Sequence, residues 1–223
     1  MARKNISKDK IVQSFLFSAF DKSAGATSLA DISSALEIKK ASLYNHFANR
    51  DSMYSATLEF CRKEILAVNF ITENTAAAVR KENSNPMSVA KRLVTRYFNL
   101  FESEPLFQMY VFVHTEQYFN PNALDTVSAA AAKLSDEIAI LLRMFAEAGK
   151  IPPAAEEKIA HTASGTAAVI IQQLDLYIAG RKETMRQNPE SGAGSLFALP
   201  TDENALNTTL GLLENILQSA AGL

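Results

Sequence analysis

Apolar residues recur along this chain at intervals of three and four, the spacing that lines one face of an α-helix. No run alternates for long enough to make a strand, so the pattern predicts an all-α protein of about nine helices. Ile11, Phe15, Leu16, Ala19 and Phe20 form the buried stripe of the first helix, with Ser7 and Asp9 suited to its start. After the turn at Gly25, Ser28 with Asp31 three residues on reads as the capped start of a second helix. Leu29, Ile32, Ala35 and Leu36 are its inward positions. A third helix over 39–47 buries Leu43 and Phe47, and Asn49 caps a long fourth through Met53, Leu58, Phe60, Ile65 and Val68.

Beyond this point the chain turns polar over 72–85. Asn85-Pro86 then opens a fifth helix to about 102, and a sixth covers 105–119. Asn120-Pro121 opens a seventh that stops at Gly149, ahead of Pro152-Pro153. The eighth is expected over 154–182, followed by a loop over 184–200 without periodicity and a last helix over 201–220.

Composition adds a few bounds. The 223 residues, 48% hydrophobic and 21% charged, are ordinary for a globular protein with a sizeable core. No apolar run approaches the roughly 20 residues that span a bilayer, and the basic start leads into an amphipathic segment. A cytoplasmic protein is expected, with no membrane partner. The single cysteine, Cys61, excludes an internal disulfide and is read as packing. The net charge of −2 conceals an asymmetry: residues 1–50 hold eight Lys/Arg against four Asp/Glu, a net of +4, which leaves −6 for the remainder. Such a distribution suits a protein that presents one end to a polyanion.

The most telling stretch lies in that positive end. Two short helices are joined by a tight turn, and the second carries Lys39, Lys40, Ser42, Tyr44, Asn45 and His46. A short helix enters the DNA major groove when a partner helix braces it and its outer face carries cations and hydrogen-bonding groups. The run Gly25-x-Thr27-Ser28-Leu29-x-x-Ile32-x-x-Ala35-Leu36-x-Ile38, followed by Ser42-Leu43-Tyr44-Asn45-His46-Phe47-x-Asn49-Arg50, strongly resembles the TetR (tetracycline-repressor) family. The match covers the first ~60 residues.

This resemblance implies a three-helix helix-turn-helix DNA-binding domain over 1–50 and an effector-binding and dimerisation domain over 51–223 that begins with the fourth helix. It further implies a homodimer and transcriptional control relieved by a small ligand. Two departures stand out. Glu37 occupies the turn position that usually holds glycine, and Lys39 stands where a small capping residue is usual. A left-handed Glu37 costs about 1 kcal/mol.

Thr27 and Ser28 are expected to bind a phosphate at a helix N-terminus. Lys39 and Lys40 are expected to neutralise phosphates or reach guanine edges. Ser42, Tyr44 and Asn45 lie on the outer face, where Asn45 suits adenine and Tyr44 the backbone or a thymine methyl. His46 and Arg50 are assigned to phosphate, and Arg3 and Lys4 to a flexible arm along the backbone.

In the last helix Leu206, Leu210, Leu213, Leu217 and Ala220 make a 4-3-4-3 seam. The eighth offers small residues including Ala167, then Ile171 and Leu174. Two such helices per subunit predict an intersubunit four-helix bundle, with packing inside one subunit as the alternative. Recognition helices held this way would meet successive major grooves about 34–36 Å apart on an inverted repeat.

Aromatic residues crowd the fifth to seventh helices, where the plain reading is core filling. The sharper reading is an apolar cavity for a hydrophobic or aromatic effector. It would be lined by Tyr97, Phe98, Phe101, Tyr110 and Phe145, with Arg96, His114, Gln117 and Gln172 as polar contacts.

The three histidines, His46, His114 and His161, show no metal-ligand spacing, and no phosphate loop, nucleophile elbow or carboxylate dyad is visible. No cofactor, no metal and no enzymatic activity are therefore expected. Two other readings stay open: an all-helical ligand carrier or dimeric scaffold without DNA binding, and an effector-independent DNA binder.

Overall fold

In the computed structural model, helix boundaries follow caps that side chains close over three or four residues. The structure describes residues 6–188 and 199–221, with side chains as far as Gln218. Arg3 and Lys4, the greater part of the 184–200 loop and the side chain of Ala220 lie outside the described residues.

Ten helices are present among those residues: α1 (Lys8–Lys22), α2 (Leu29–Ala35), α3 (Lys40–Leu43), α4 (Arg50–Ala67) and α5 (Thr75–Arg80), then α6 (Pro86–Phe101), α7 (Leu106–Glu116), α8 (Pro121–Glu147), α9 (Glu156–Gln187) and α10 (Glu203–Ala221). Ser7 caps α1 by accepting from the Lys10 amide, and Asn85 caps α6 by accepting from the Ser88 amide, with Pro86 in the first turn. Gly149, at φ 66°, ends α8 where glycine is cheapest, and the Lys150 amide donates back to the Phe145 carbonyl.

Besides α3, which covers only Lys40–Leu43 of the expected 39–47, three boundaries differ from the periodicity. The polar stretch 72–85 contains the short helix α5, because the Thr75 hydroxyl accepts from the Thr72 amide and Val79 is buried. Helix α9 runs to Gln187, extended by ion pairing between Glu183 and Arg186 within its last turn. Helix α7 stops at Glu116, so Tyr118 and Phe119 project into solvent at 81% and 82% exposure and leave the aromatic core. The Asn120-Pro121 start of α8 turns the chain away before those two rings can pack.

The chain divides into two compact units. The first comprises residues 1–67 and 105–128, the second 68–104 and 129–223. In the first, α1 packs on α2, α4 and α7, and α4 on α7. Its core is Ile11, Phe15, Leu16, Ile32, Leu43, Met53, Phe107 and Phe112, all buried. Cys61 is buried there too, and burial pushes its thiol up to about 12, so it stays an inert packing group.

In the second unit α10 packs on α9 and α6, α6 also on α5 and α9, around Val89, Phe98, Phe101, Ile170, Tyr177 and Leu213. A buried carboxylate organises the segment that follows α4. Glu137 accepts from the Ile71 amide at 2.9 Å and from the Phe70 amide, while Arg96 donates to the Asn69 carbonyl at 2.8 Å.

Five of the seven residues expected at a subunit interface are buried inside this second unit: Ala167, Leu174, Leu206, Leu213 and Leu217. Ile171 and Leu210 are half-buried. The leucine seam of α10 pairs with α9 of the same chain. The opposite faces are the outward ones, with Ala168, Gln172 and Leu176 exposed on α9 and Thr208, Gly211 and Leu212 on α10.

Candidate nucleic-acid interface

The helix-turn-helix is built from short-range interactions. Ser28 and Asp31 form a full capping box: the Ser28 amide and hydroxyl both donate to Asp31 Oδ2 at 2.8 Å, and the Asp31 amide donates back to Ser28 Oγ. Lys22 Nζ lies 2.7 Å from Asp31 Oδ1 and joins the end of α1 to the start of α2. With this ammonium foremost, and the Ser28 donors behind it, the Asp31 carboxyl is held well below its usual range.

Glu37 carries the turn between α2 and α3 at φ 55°, the left-handed conformation that a glycine would adopt without strain. Lys39 sits at the cap position of α3 and makes no side-chain cap. The helix is correspondingly short. Beyond Leu43 the chain continues in tighter turns, with the His46 amide donating to the Leu43 carbonyl and the Asn45 amide to that of Ser42.

The sidedness of this segment decides what it can do. Leu43 is fully buried and Phe47 nearly so, with the Lys8 ammonium 5.7 Å from the centre of the Phe47 ring. Lys39, Lys40 and Asn45 are exposed, Tyr44 is 53% exposed, and Ser42 and His46 are half-buried. Lys40 and Tyr44 are one helical turn apart and share an outer face. The ridge therefore offers two ammonium groups, a phenol and a carboxamide to solvent. Groups of these kinds are the ones that phosphate neutralisation and base-edge hydrogen bonding require.

Three expected phosphate ligands are engaged elsewhere. Thr27 is 1% exposed, and its hydroxyl donates to the Ser23 carbonyl at 2.8 Å. The Ser28 hydroxyl is taken up by the capping box. The Arg50 guanidinium faces its own domain: Nε donates to the Thr27 carbonyl at 2.8 Å, a terminal nitrogen donates to the Ala24 carbonyl, and the group lies 5.4 Å from the Phe15 ring centre. The α1–α2 turn presents backbone carbonyls there, which no side-chain pattern in the sequence announces.

The expected effector-pocket residues fall in both units. Tyr97, Phe98, Phe101 and Phe145 are buried in the second. There Tyr97 meets Phe70 and Phe101 edge-on, and Phe98 meets Tyr177. Tyr110, His114 and Gln117 belong to the first unit; Tyr110 stacks on His114 with ring centres 3.8 Å apart, and Gln117 donates to the His114 carbonyl. Gln172 is exposed on α9 beside Ala168 and Leu176, so it points to solvent and away from the aromatic core. A separate open groove of about 390 Å³ lies between α5 and α6, lined by Ala78, Val89, Lys81, Ser84 and Arg92 among others, and it holds none of the residues expected to line the effector pocket.

No family model matches the chain. Among curated proteins it is similar to IcaR of Staphylococcus aureus, the HTH-type negative transcriptional regulator of the biofilm operon icaADBC, at 29% identity over 133 residues. That alignment covers 59% of this chain and 67% of IcaR. The IcaR of Staphylococcus epidermidis is 41% identical over 54 residues, covering 24% of this chain and 29% of that protein. Among solved structures, a TetR-family transcriptional regulator from Streptomyces coelicolor superposes with a TM-score of 0.61 at 14% identity, covering 96% of this chain and 82% of that one, a likeness of fold. These relatives are regulators and not enzymes. Signature, curated relative and the helical architecture of the described residues point the same way: the chain is similar to helix-turn-helix transcriptional regulators and has the fold seen in TetR-family regulators.

Proposed function

We propose that the chain is a cytoplasmic, dimeric repressor that binds an inverted-repeat DNA site and leaves it when a small apolar or aromatic effector binds. The observation that carries the DNA-binding part is the outward ridge of Lys39, Lys40, Tyr44 and Asn45 over the buried Leu43 and Phe47. The similarity to IcaR, a negative regulator by name, supports repression. Lys39 and Lys40 neutralise phosphates, while Asn45 and Tyr44 read base edges.

Dimer formation uses the outward faces of α9 and α10. Leu176 at 59% and Leu212 at 40% exposure supply apolar contact, and Ala168 and Gly211 permit close helix approach. The effector reading rests on the buried cluster of Phe70, Tyr97, Phe98, Phe101 and Tyr177, whose edge-on rings suit a ligand that stacks. An effector shifts the protein toward a DNA-free conformation only by binding that conformation more tightly.

The test is selection of duplexes from a random pool by the purified chain, followed by gel-shift titration. An enriched inverted repeat bound more tightly than random DNA is the expected result. Recovery of unenriched DNA, or retention unaffected by deleting residues 1–50, overturns the reading. A thermal-shift screen with aromatic and apolar compounds, with hits tested for release of the bound duplex, examines the effector.

A further inference from the structure

We infer that Arg50 is a positioning residue for DNA recognition: its guanidinium staples shut the open end of the helix-turn-helix segment and leaves phosphate contact to Lys39 and Lys40. This inference rests on the DNA-binding reading above and deepens it.

The chain leaves the α1–α2 turn at Thr27, runs through α2 and α3, and returns at Arg50, the first residue of α4. Arg50 reaches back across 23 residues to the Thr27 carbonyl and across 26 to the Ala24 carbonyl. Both carbonyls belong to buried residues, Thr27 at 1% and Ala24 at 3% exposure. The start and the end of the recognition segment are thereby tied to one rigid, permanently charged group.

Two further contacts hold that group in place. Its flat face lies over Phe15, which is fully buried, and Asp51 stands 3.8 Å from a terminal nitrogen. Asp51 also draws off part of the charge that a phosphate would otherwise meet. Lysine does not reproduce this arrangement: a single ammonium lacks both the fork that spans two carbonyls and the flat face that covers a ring. Phosphate, by contrast, accepts either cation.

The distinction yields opposite outcomes for Arg50→Lys. Full-length wild type, Arg50→Lys, Arg50→Gln and the reference variant Lys40→Ala are titrated with the selected duplex at several salt concentrations, and backbone hydrogen exchange is followed in parallel. Both Arg50 variants are expected to lose roughly tenfold or more in affinity with an unchanged salt slope. Exchange is expected to accelerate over residues 24–36 and to stay constant in α9, a localisation that general destabilisation does not produce.

Wild-type-like binding by Arg50→Lys, together with a slope reduced by about 1 in Arg50→Gln as in Lys40→Ala, would make Arg50 a phosphate contact and overturn the inference. Arg50→Lys carries the comparison if Arg50→Gln does not fold. If wild type itself selects no duplex, the DNA-binding reading fails on its own, and local exchange still decides whether Arg50 closes the segment.

Discussion

The Tyr54 hydroxyl donates to Glu116 Oε2 at 2.7 Å, joining α4 to α7 across 62 residues. Its ring lies against Phe15 and Phe112, with ring centres 6.1 Å away in each case, so the polar tether sits on an aromatic cluster shared by α1, α4 and α7. Burial, reinforced by the carboxylate, holds the phenol protonated far above its usual range. Tyr54→Phe keeps the ring and removes only the tether. It should lower the unfolding free energy by about 1 kcal/mol, read from urea denaturation.

Glu37 offers the reverse experiment. Its φ of 55° strains a side-chain-bearing residue, whereas glycine adopts that angle freely. Glu37→Gly should raise the unfolding free energy by about 0.5–1 kcal/mol, the relief being partly offset by greater unfolded-chain entropy. A drop in the urea midpoint would show that the turn draws more from the glutamate side chain than its backbone costs.

Stability toward acid should depend on Asp31. Its carboxyl, paired first with Lys22 and then with the Ser28 donors, is depressed below the ordinary 3.8. At neutral pH the stabilisation is complete. As pH falls below about 4 the unfolded chain takes up the proton before the folded one, and stability declines toward the depressed value. Asp31→Asn should therefore be less stable at neutral pH, with a difference from wild type that shrinks as pH is lowered from about 5 to 3. Urea midpoints measured across that range check this.

On the proposed ridge, a phosphate contact and a base contact separate by salt and by sequence. Lys40→Ala should weaken binding to all duplexes alike and reduce the salt slope by about 1. Asn45→Ala should leave the slope in place and relax selection at one position, by about 1–3 kcal/mol of discrimination. Gel shifts on matched and singly altered sites resolve the two.

A charge on the outward face of α9 tests the proposed dimer. Leu176→Glu places a carboxylate in an apolar contact while the residue remains solvated in the single chain, where it is already 59% exposed. Sedimentation should show monomers at micromolar concentration with unchanged helicity, whereas Leu213→Glu, at a buried position, should unfold the second unit.

Caps and stops were legible from residues alone because each is settled within three to five positions. Ser28 with Asp31, Asn85 with Pro86, and Gly149 all act where their patterns lie. The same holds for the sidedness of the proposed recognition ridge, whose inner Leu43 and Phe47 and outer Lys40, Tyr44 and Asn45 are separated by helical period. Tertiary structure decided matters that period leaves degenerate. Helices α9 and α10 each carry two plausible faces, and the leucine seam of α10 turned inward because α9 of the same chain offered it more apolar surface than solvent did. Arg50 likewise found backbone carbonyls 23 and 26 residues away. Every residue carries a carbonyl, so only the folded path of the chain could select those two as its partners.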